Sequence, residues 1–144
     1  MNPLWLIVPV VIGLAHPVLI QMCVRVSRAT GDMESAVILH VIGAVVGLGW
    51  LGVGLRGGGF SGWSSIPWWA FLGGAIGVTC MAAMNRTVPV VGVATFCALS
   101  VASQLVMALL FDRYGLMGAE ERQVQLSHWI GVAMLAAGAF LVSR

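Results

Sequence analysis

Val88–Gly118 reads VPVVGVATFCALSVASQLVMALLFDRYGLMG: an apolar run that carries Thr95, Ser100, Ser103 and Gln104 and stops at Asp112-Arg113-Tyr114-Gly115. A bilayer core takes roughly 20 apolar residues per helix, and this run is long enough. It reads as a membrane helix with a polar seam. At about 100° per residue Ser100, Ser103 and Gln104 share one side. A hydroxyl or amide facing acyl chains has no partner there and is costly, so the seam is predicted to face protein or a water-filled cavity.

Composition extends this reading to the whole chain. With 60% hydrophobic and 8% charged residues, 144 residues do not hold enough polar surface to cover a soluble globule; mean hydropathy is +1.00. The chain is expected to be an all-α integral membrane protein, one transmembrane domain over 1–144, with five spans and no soluble domain. Its seven basic residues are all arginine, and they are spread thinly. Neither a nucleic-acid footprint nor a polybasic lipid patch is formed. Cys23, Cys80 and Cys97 lie in apolar stretches, outside any CxxC or metal spacing, and read as buried small hydrophobes. No metal or cofactor is implied.

Outward from the decisive stretch, the other spans fall at about 4–24, 36–55, 67–84 and 126–142, with the central one at 88–111. The first is too long for a signal h-region and lacks a basic segment before it, so it is kept as a mature helix. Pro17 removes a backbone donor and crowds the carbonyl four residues back, which predicts a bend near Gly13. His16 and Gln21 flank that position and are candidates for a site at bilayer depth. The mixed charges of Arg25–Ser35 are expected to be solvated. In the second span Gly43 and Gly47 form a GxxxG pair suited to close helix approach, His40 lies near the helix start, and Trp50 is a candidate cavity-lining residue. The stretch RGGGFSGWSSIP from Arg56 is a flexible loop without a phosphate-binding pattern. Trp63, Trp68 and Trp69 fit an interfacial aromatic belt. The third span carries Gly73 and Gly77 and is predicted to break at Asn85-Arg86-Thr87-Val88-Pro89, with Arg86 snorkelling to headgroups. The last is short, with Gly131 and Gly138 on a smooth packing face.

Five spans would leave Arg25, Arg28, Arg86 and Arg144 on one side and Arg56, Arg113 and Arg122 on the other. The positive-inside rule then scarcely selects an orientation. Dual insertion, or a partner of opposite bias, follows from that balance. Two five-helix units in opposite orientation make a ten-helix body with an inverted repeat, an architecture of secondary transporters that places substrate near the midplane.

The segments PWWAFLGGAIGV, Val88–Gly118 and HWIGVAMLAAGAFLVSR resemble the YdcZ-type family of small bacterial inner-membrane proteins in the drug/metabolite transporter superfamily. The most specific part is Gln104, Leu105, Leu109, Asp112, Gly115, Leu116 and Gly118. The first two spans match only through Gln21, Gly31, Ser35 and Gly43, and His16-Pro17 is no part of the family pattern. The resemblance implies a multi-pass inner-membrane protein: a five-helix repeat that pairs antiparallel, with itself or a paralogue, and exports a small organic solute. Small multidrug-resistance relatives use a glutamate in the first helix for protons and cationic substrate. No acid occurs here before Asp32, so that mechanism is disfavoured unless His16 titrates.

The expected site is therefore a cavity lined by His16, Gln21, Trp50, Thr95, Ser100, Ser103 and Gln104, suited to a neutral or amphipathic solute or a weakly held organic cation. Gly43, Gly47, Gly73, Gly77, Gly131 and Gly138 are expected to serve helix or dimer packing. The alternative is an accessory subunit that packs with a paralogue or another transporter and has no substrate site. An enzyme is disfavoured, because there is no Ser-His-Asp set, no intramembrane carboxylate pair and no HExxH.

Overall fold

The computed structural model of the chain describes residues 4–54 and 60–144. Among the described residues it is helical, with no strand. The five α-helices are α1 (Leu4–Thr30), α2 (Asp32–Gly52), α3 (Leu72–Val91), α4 (Val93–Tyr114) and α5 (Leu126–Val142). Four stretches are long and apolar enough to cross a membrane: Ile7–Thr30, Asp32–Gly52, Trp68–Val91 and Val93–Tyr114. The shorter apolar helix is α5. The chain divides into two compact units, Met1–Pro89 and Val90–Arg144.

In the first unit α1 and α2 form a hairpin whose connection is Gly31 alone. The mixed-charge loop expected over Arg25–Ser35 is instead helical on both sides of that glycine. Gly31 has φ 112° and ψ 160°, a conformation essentially reserved for glycine. Its N–H donates to Ser27 O at 2.8 Å, and its carbonyl accepts from Ser35 N–H at 3.0 Å, so both helices keep their hydrogen bonds up to the turn. Nothing in Arg25–Thr30 breaks a helix, and the Thr30 hydroxyl reinforces it by donating to Val26 O at 3.0 Å. This is why α1 runs six residues past the expected end at Val24. Pro9 and Pro17 both lie inside it. The expected end of the second span at Leu55, and Arg56 after it, lie outside the described residues.

The hairpin packs at its turn end. Ile20, Cys23, Val24 and Ser27 recur on one face of α1 at a spacing of three, one and three, and all are buried, as are Ser35 and Ala36 of α2. Four of these six side chains are Cys, Ser or Ala. In lipid, helix association rests on close packing and interhelical hydrogen bonds rather than on exclusion of water, and small side chains allow that approach. Cys23 alone of the three cysteines is buried; Cys97 is half-buried and Cys80 exposed. The expectation of three buried thiols is corrected accordingly: Cys80 is exposed on α3 and Cys97 only half-buried on α4.

Short 3-10 turns at Phe60–Ser65 and Trp68–Phe71 lead into α3, with the Trp63 and Phe71 rings 5.2 Å apart. Trp63 and Trp68 are exposed, as an interfacial belt requires. The helix does not break at Asn85–Pro89. It continues to Val91, and the chain turns at Gly92, whose φ of 84° only glycine adopts readily. A proline inside the last turns costs little once the turn itself falls at a glycine.

In the second unit α4 packs on α5. The buried residues are Ala102 and Leu109 on α4 and Val132 and Ala139 on α5, each pair seven apart. Thr95 Oγ1 donates to Val142 O at 3.5 Å, joining the start of α4 to the end of α5 in an antiparallel pair. The face that α5 turns to α4 is thus centred one residue away from Gly131 and Gly138, beside which a methyl group would meet no atom within 4 Å.

Candidate functional site

Three sets of polar groups lie on the helices among the described residues. The first lies at the turn end of the α1–α2 hairpin. Ser27 Oγ donates to Asp32 Oδ1, and Ser35 Oγ, fully buried, donates to Cys23 O at 3.1 Å across the helix pair. Asn85 of α3 is 1% exposed, and its Nδ2 donates to Asp32 O at 3.2 Å. Its Oδ1 is buried and has no hydrogen-bond partner among the described residues. Because the neighbouring group is a backbone carbonyl, the amide nitrogen must face it, which leaves the amide oxygen as the unpaired atom. Asp32 sits in the first turn of α2, where a carboxylate complements the helix dipole. The charges of this segment are therefore not all solvated: Asp32 is half-buried and pinned.

Sequence reading missed this node. Asn85 was expected in a break between spans; it lies inside α3, three residues from the equally buried Val88. That three-residue spacing within an apolar run was the available signal. A second link between α2 and α3 is more local. His40 Nδ1 lies 2.7 Å from Ala36 O on its own helix, and Nε2 lies 3.4 Å from where a Cβ on Gly77 would stand. Gly77 is small where His40 approaches it.

The second set is the outer face of α1. Val18, Gln21, Met22, Arg25 and Val26 line an open groove of about 450 Å³, almost wholly apolar in its walls. These positions alternate with the buried set at 20, 23, 24 and 27, so α1 presents one face to its hairpin partner and another outward. Among the described residues Arg25 has no ion-pair partner. His16 is half-buried one turn before this groove and does not line it.

The third set is the α4 seam. Ser103 Oγ donates to Leu99 O of its own helix at 2.9 Å. A hydroxyl satisfied in this way can face outward without an orphaned proton. Gln104 is exposed, while Ser100 and Thr95 are half-buried. Trp50 on α2 is 62% exposed. Of the expected residues, Gln21 lies in the α1 groove, Trp50 is exposed on α2, and Thr95, Ser100, Ser103 and Gln104 lie along α4. Of the packing glycines, Gly77 meets a neighbour, whereas a side chain at Gly43, Gly47, Gly73, Gly131 or Gly138 would meet open space. Among the described residues no group of three His, Cys, Asp or Glu side chains is placed to hold a metal ion.

The chain matches the family model described as "Putative inner membrane exporter, YdcZ" over residues 4–141. It is 31% identical over 126 residues to "Inner membrane protein YdcZ" of Escherichia coli (strain K12), covering 85% of this chain and 83% of that protein. The chain belongs to the YdcZ family. The match includes α1 and α2, where sequence reading found only scattered likeness, as well as α3 to α5. Like its YdcZ relative, the chain is a multi-pass inner-membrane protein, and membership supports a membrane transporter role rather than an enzymatic one. No solved structure matches it.

Proposed function

We propose that the chain exports small neutral or amphipathic organic solutes by alternating access, working as an antiparallel pair in which α5 is the fifth span of each copy. At 17 residues α5 is about 25 Å long by helical rise. That approaches the roughly 30 Å of a hydrocarbon core, and the remainder is met by local thinning of the bilayer. The near-even division of arginines supports two orientations, and the open faces at Gly43, Gly47, Gly131 and Gly138 offer smooth surfaces to a second copy.

The observation that carries the substrate class is the α1 groove. Its walls are apolar, Gln21 supplies one amide able to donate and accept, and Arg25 supplies a positive charge with no ion-pair partner among the described residues. A buried apolar solute with a polar end fits that surface, and a permanent cation is repelled by Arg25 with no carboxylate on α1 to offset it.

The test is dye efflux from cells overproducing the chain, against cells with an empty vector, using Nile red as a neutral probe and ethidium as a cation. Faster Nile red efflux, reduced at least twofold by Gln21→Leu and with ethidium unaffected, is expected. Nile red and ethidium rates equal to those of the empty vector would refute export of this solute class.

A further inference from the structure

The loop between α4 and α5 is folded around a defined pocket. Gly115 takes φ 57° and ends α4, Met117 follows at φ 58° and Gly118 at φ 87°. The chain then doubles back until Arg122 N–H donates to Asp112 O at 2.6 Å. That bond brings Arg122 beside Arg113, nine residues earlier. Both line an open, polar cavity of about 480 Å³ together with Glu121, Gln123 and Gln125. The far end of the loop is tied down by Gln125 N–H donating to His128 Nδ1 at 3.0 Å. Glu121 lies against Gly115, its Cγ 2.9 Å from where a Cβ would stand, which sets the carboxylate at the pocket edge. Neither arginine is ion-paired among the described residues, although Asp112, Glu120 and Glu121 are all near in sequence. Arg113 instead rests over the Tyr114 ring, 5.7 Å from its centroid.

Two guanidiniums free to chelate one group, with a carboxylate at the rim, complement a molecule that carries a phosphate and a primary ammonium together. A pure anion would meet Glu121 unfavourably. The pocket lies at the end of a membrane-length helix beside an exposed tyrosine, the depth of lipid headgroups. We propose that this pocket binds the headgroup of a phosphoethanolamine lipid, phosphate on Arg113 and Arg122 and ammonium on Glu121.

The full chain in mild detergent is mixed with equal amounts of dioleoyl phosphatidylethanolamine, phosphatidylcholine and phosphatidylglycerol, and retained lipid is counted by native mass spectrometry. At least fivefold preference for phosphatidylethanolamine over each of the others is expected. Arg113→Gln or Arg122→Gln lowers retention at least fivefold. Glu121→Gln keeps retention but removes the preference over phosphatidylcholine, whose trimethylated nitrogen has no proton to donate. Arg122→Lys, which keeps the charge on a helical, monodisperse protein, falls between wild type and Arg122→Gln. Equal retention of the three lipids by the wild type overturns the proposal, as does an Arg113→Gln/Arg122→Gln chain of wild-type helicity with unchanged retention. Displacement of lipid by millimolar glycerophosphoethanolamine would assign the pocket to a soluble phosphoamine and overturn the lipid assignment.

Discussion

Replacing Asn85 by leucine is expected to leave the protein as stable as before or more so, although it deletes a buried hydrogen bond. The deleted bond runs from Nδ2 to Asp32 O at 3.2 Å. Interhelical polar contacts in membranes contribute on average about 0.6 kcal/mol and at most about 1.7. Asp32 O, at the first position of α2, remains within reach of its own helix's donors, so its loss leaves no orphan. Against this stands Oδ1, buried and without a partner among the described residues, a condition that costs about 1–3 kcal/mol. Leucine has a similar length and no polar atom, so with a contact of average strength the balance falls between about 0.4 and 2.4 kcal/mol in favour of the variant. Alanine removes the same polar groups but leaves unfilled space; it should lie about 2–5 kcal/mol below leucine. The assay is reversible unfolding in mixed dodecylmaltoside and SDS micelles, followed by helix circular dichroism. Asn85→Leu less stable than wild type by more than about 1 kcal/mol, with native helicity retained, would refute the reasoning. It would mean that Oδ1 receives a donor in the working protein.

Gly31→Ala forces a methyl group into a glycine-only conformation and against the Glu34 carboxylate, and should cost about 1–3 kcal/mol in the same unfolding assay; an unchanged midpoint would mean that the turn readjusts freely. Gly131→Leu adds a side chain where no atom lies within 4 Å, so it should leave unfolding of the single chain within about 0.5 kcal/mol and, if two copies pair through this face as proposed, lower the dimer fraction in detergent at least twofold. An unaltered dimer fraction would remove this face from the interface. Glu120→Cys, in a chain freed of Cys23, Cys80 and Cys97, should be labelled from outside intact cells in about half of the molecules if the chain inserts both ways. Labelling of all or none would mean one fixed orientation and would refute the proposed antiparallel homodimer.

The membrane class and helix order were legible because they rest on length and composition. The bounds of α5 at Leu126–Val142 match expectation, since a run without prolines or charges has no competing place to stop. Errors collect where a local rule was overridden. Pro89 was read as a stop, but Gly92 three residues later offered the one backbone position where turning is free, and the helix carried through to it. Arg25, Asp32 and Glu34 suggested a solvated loop, because charge is easily read from sequence while a one-residue connection through Gly31 is not. Most of the expected site residues were sought for their polarity alone. Polarity does not tell which neighbour a hydroxyl selects, and Ser103 selects its own helix whereas Ser35 reaches across to another. Asn85 escaped notice for the complementary reason: it stood beside Arg86 and Pro89, which outweighed its spacing with Val88.

The two faces of α1 show why a chain with so little charge can still hold a structure in lipid. Its inner face spends small side chains and a serine on one tight contact near the turn, where Ser27, Asp32, Ser35 and Asn85 join three helices within hydrogen-bonding distance. Such bonds are directional, so they fix the register of α1, α2 and α3 in a medium that gives apolar surfaces little reason to prefer one another. The remainder of each helix is then free to keep apolar faces outward, with Val45, Leu48 and Trp50 all more than half exposed. The alternating mechanism proposed above would need this division. The pinned end would hold the hairpin and α3 together, while the exposed faces, Gln21 among them, would stay open to lipid, solute or a second copy.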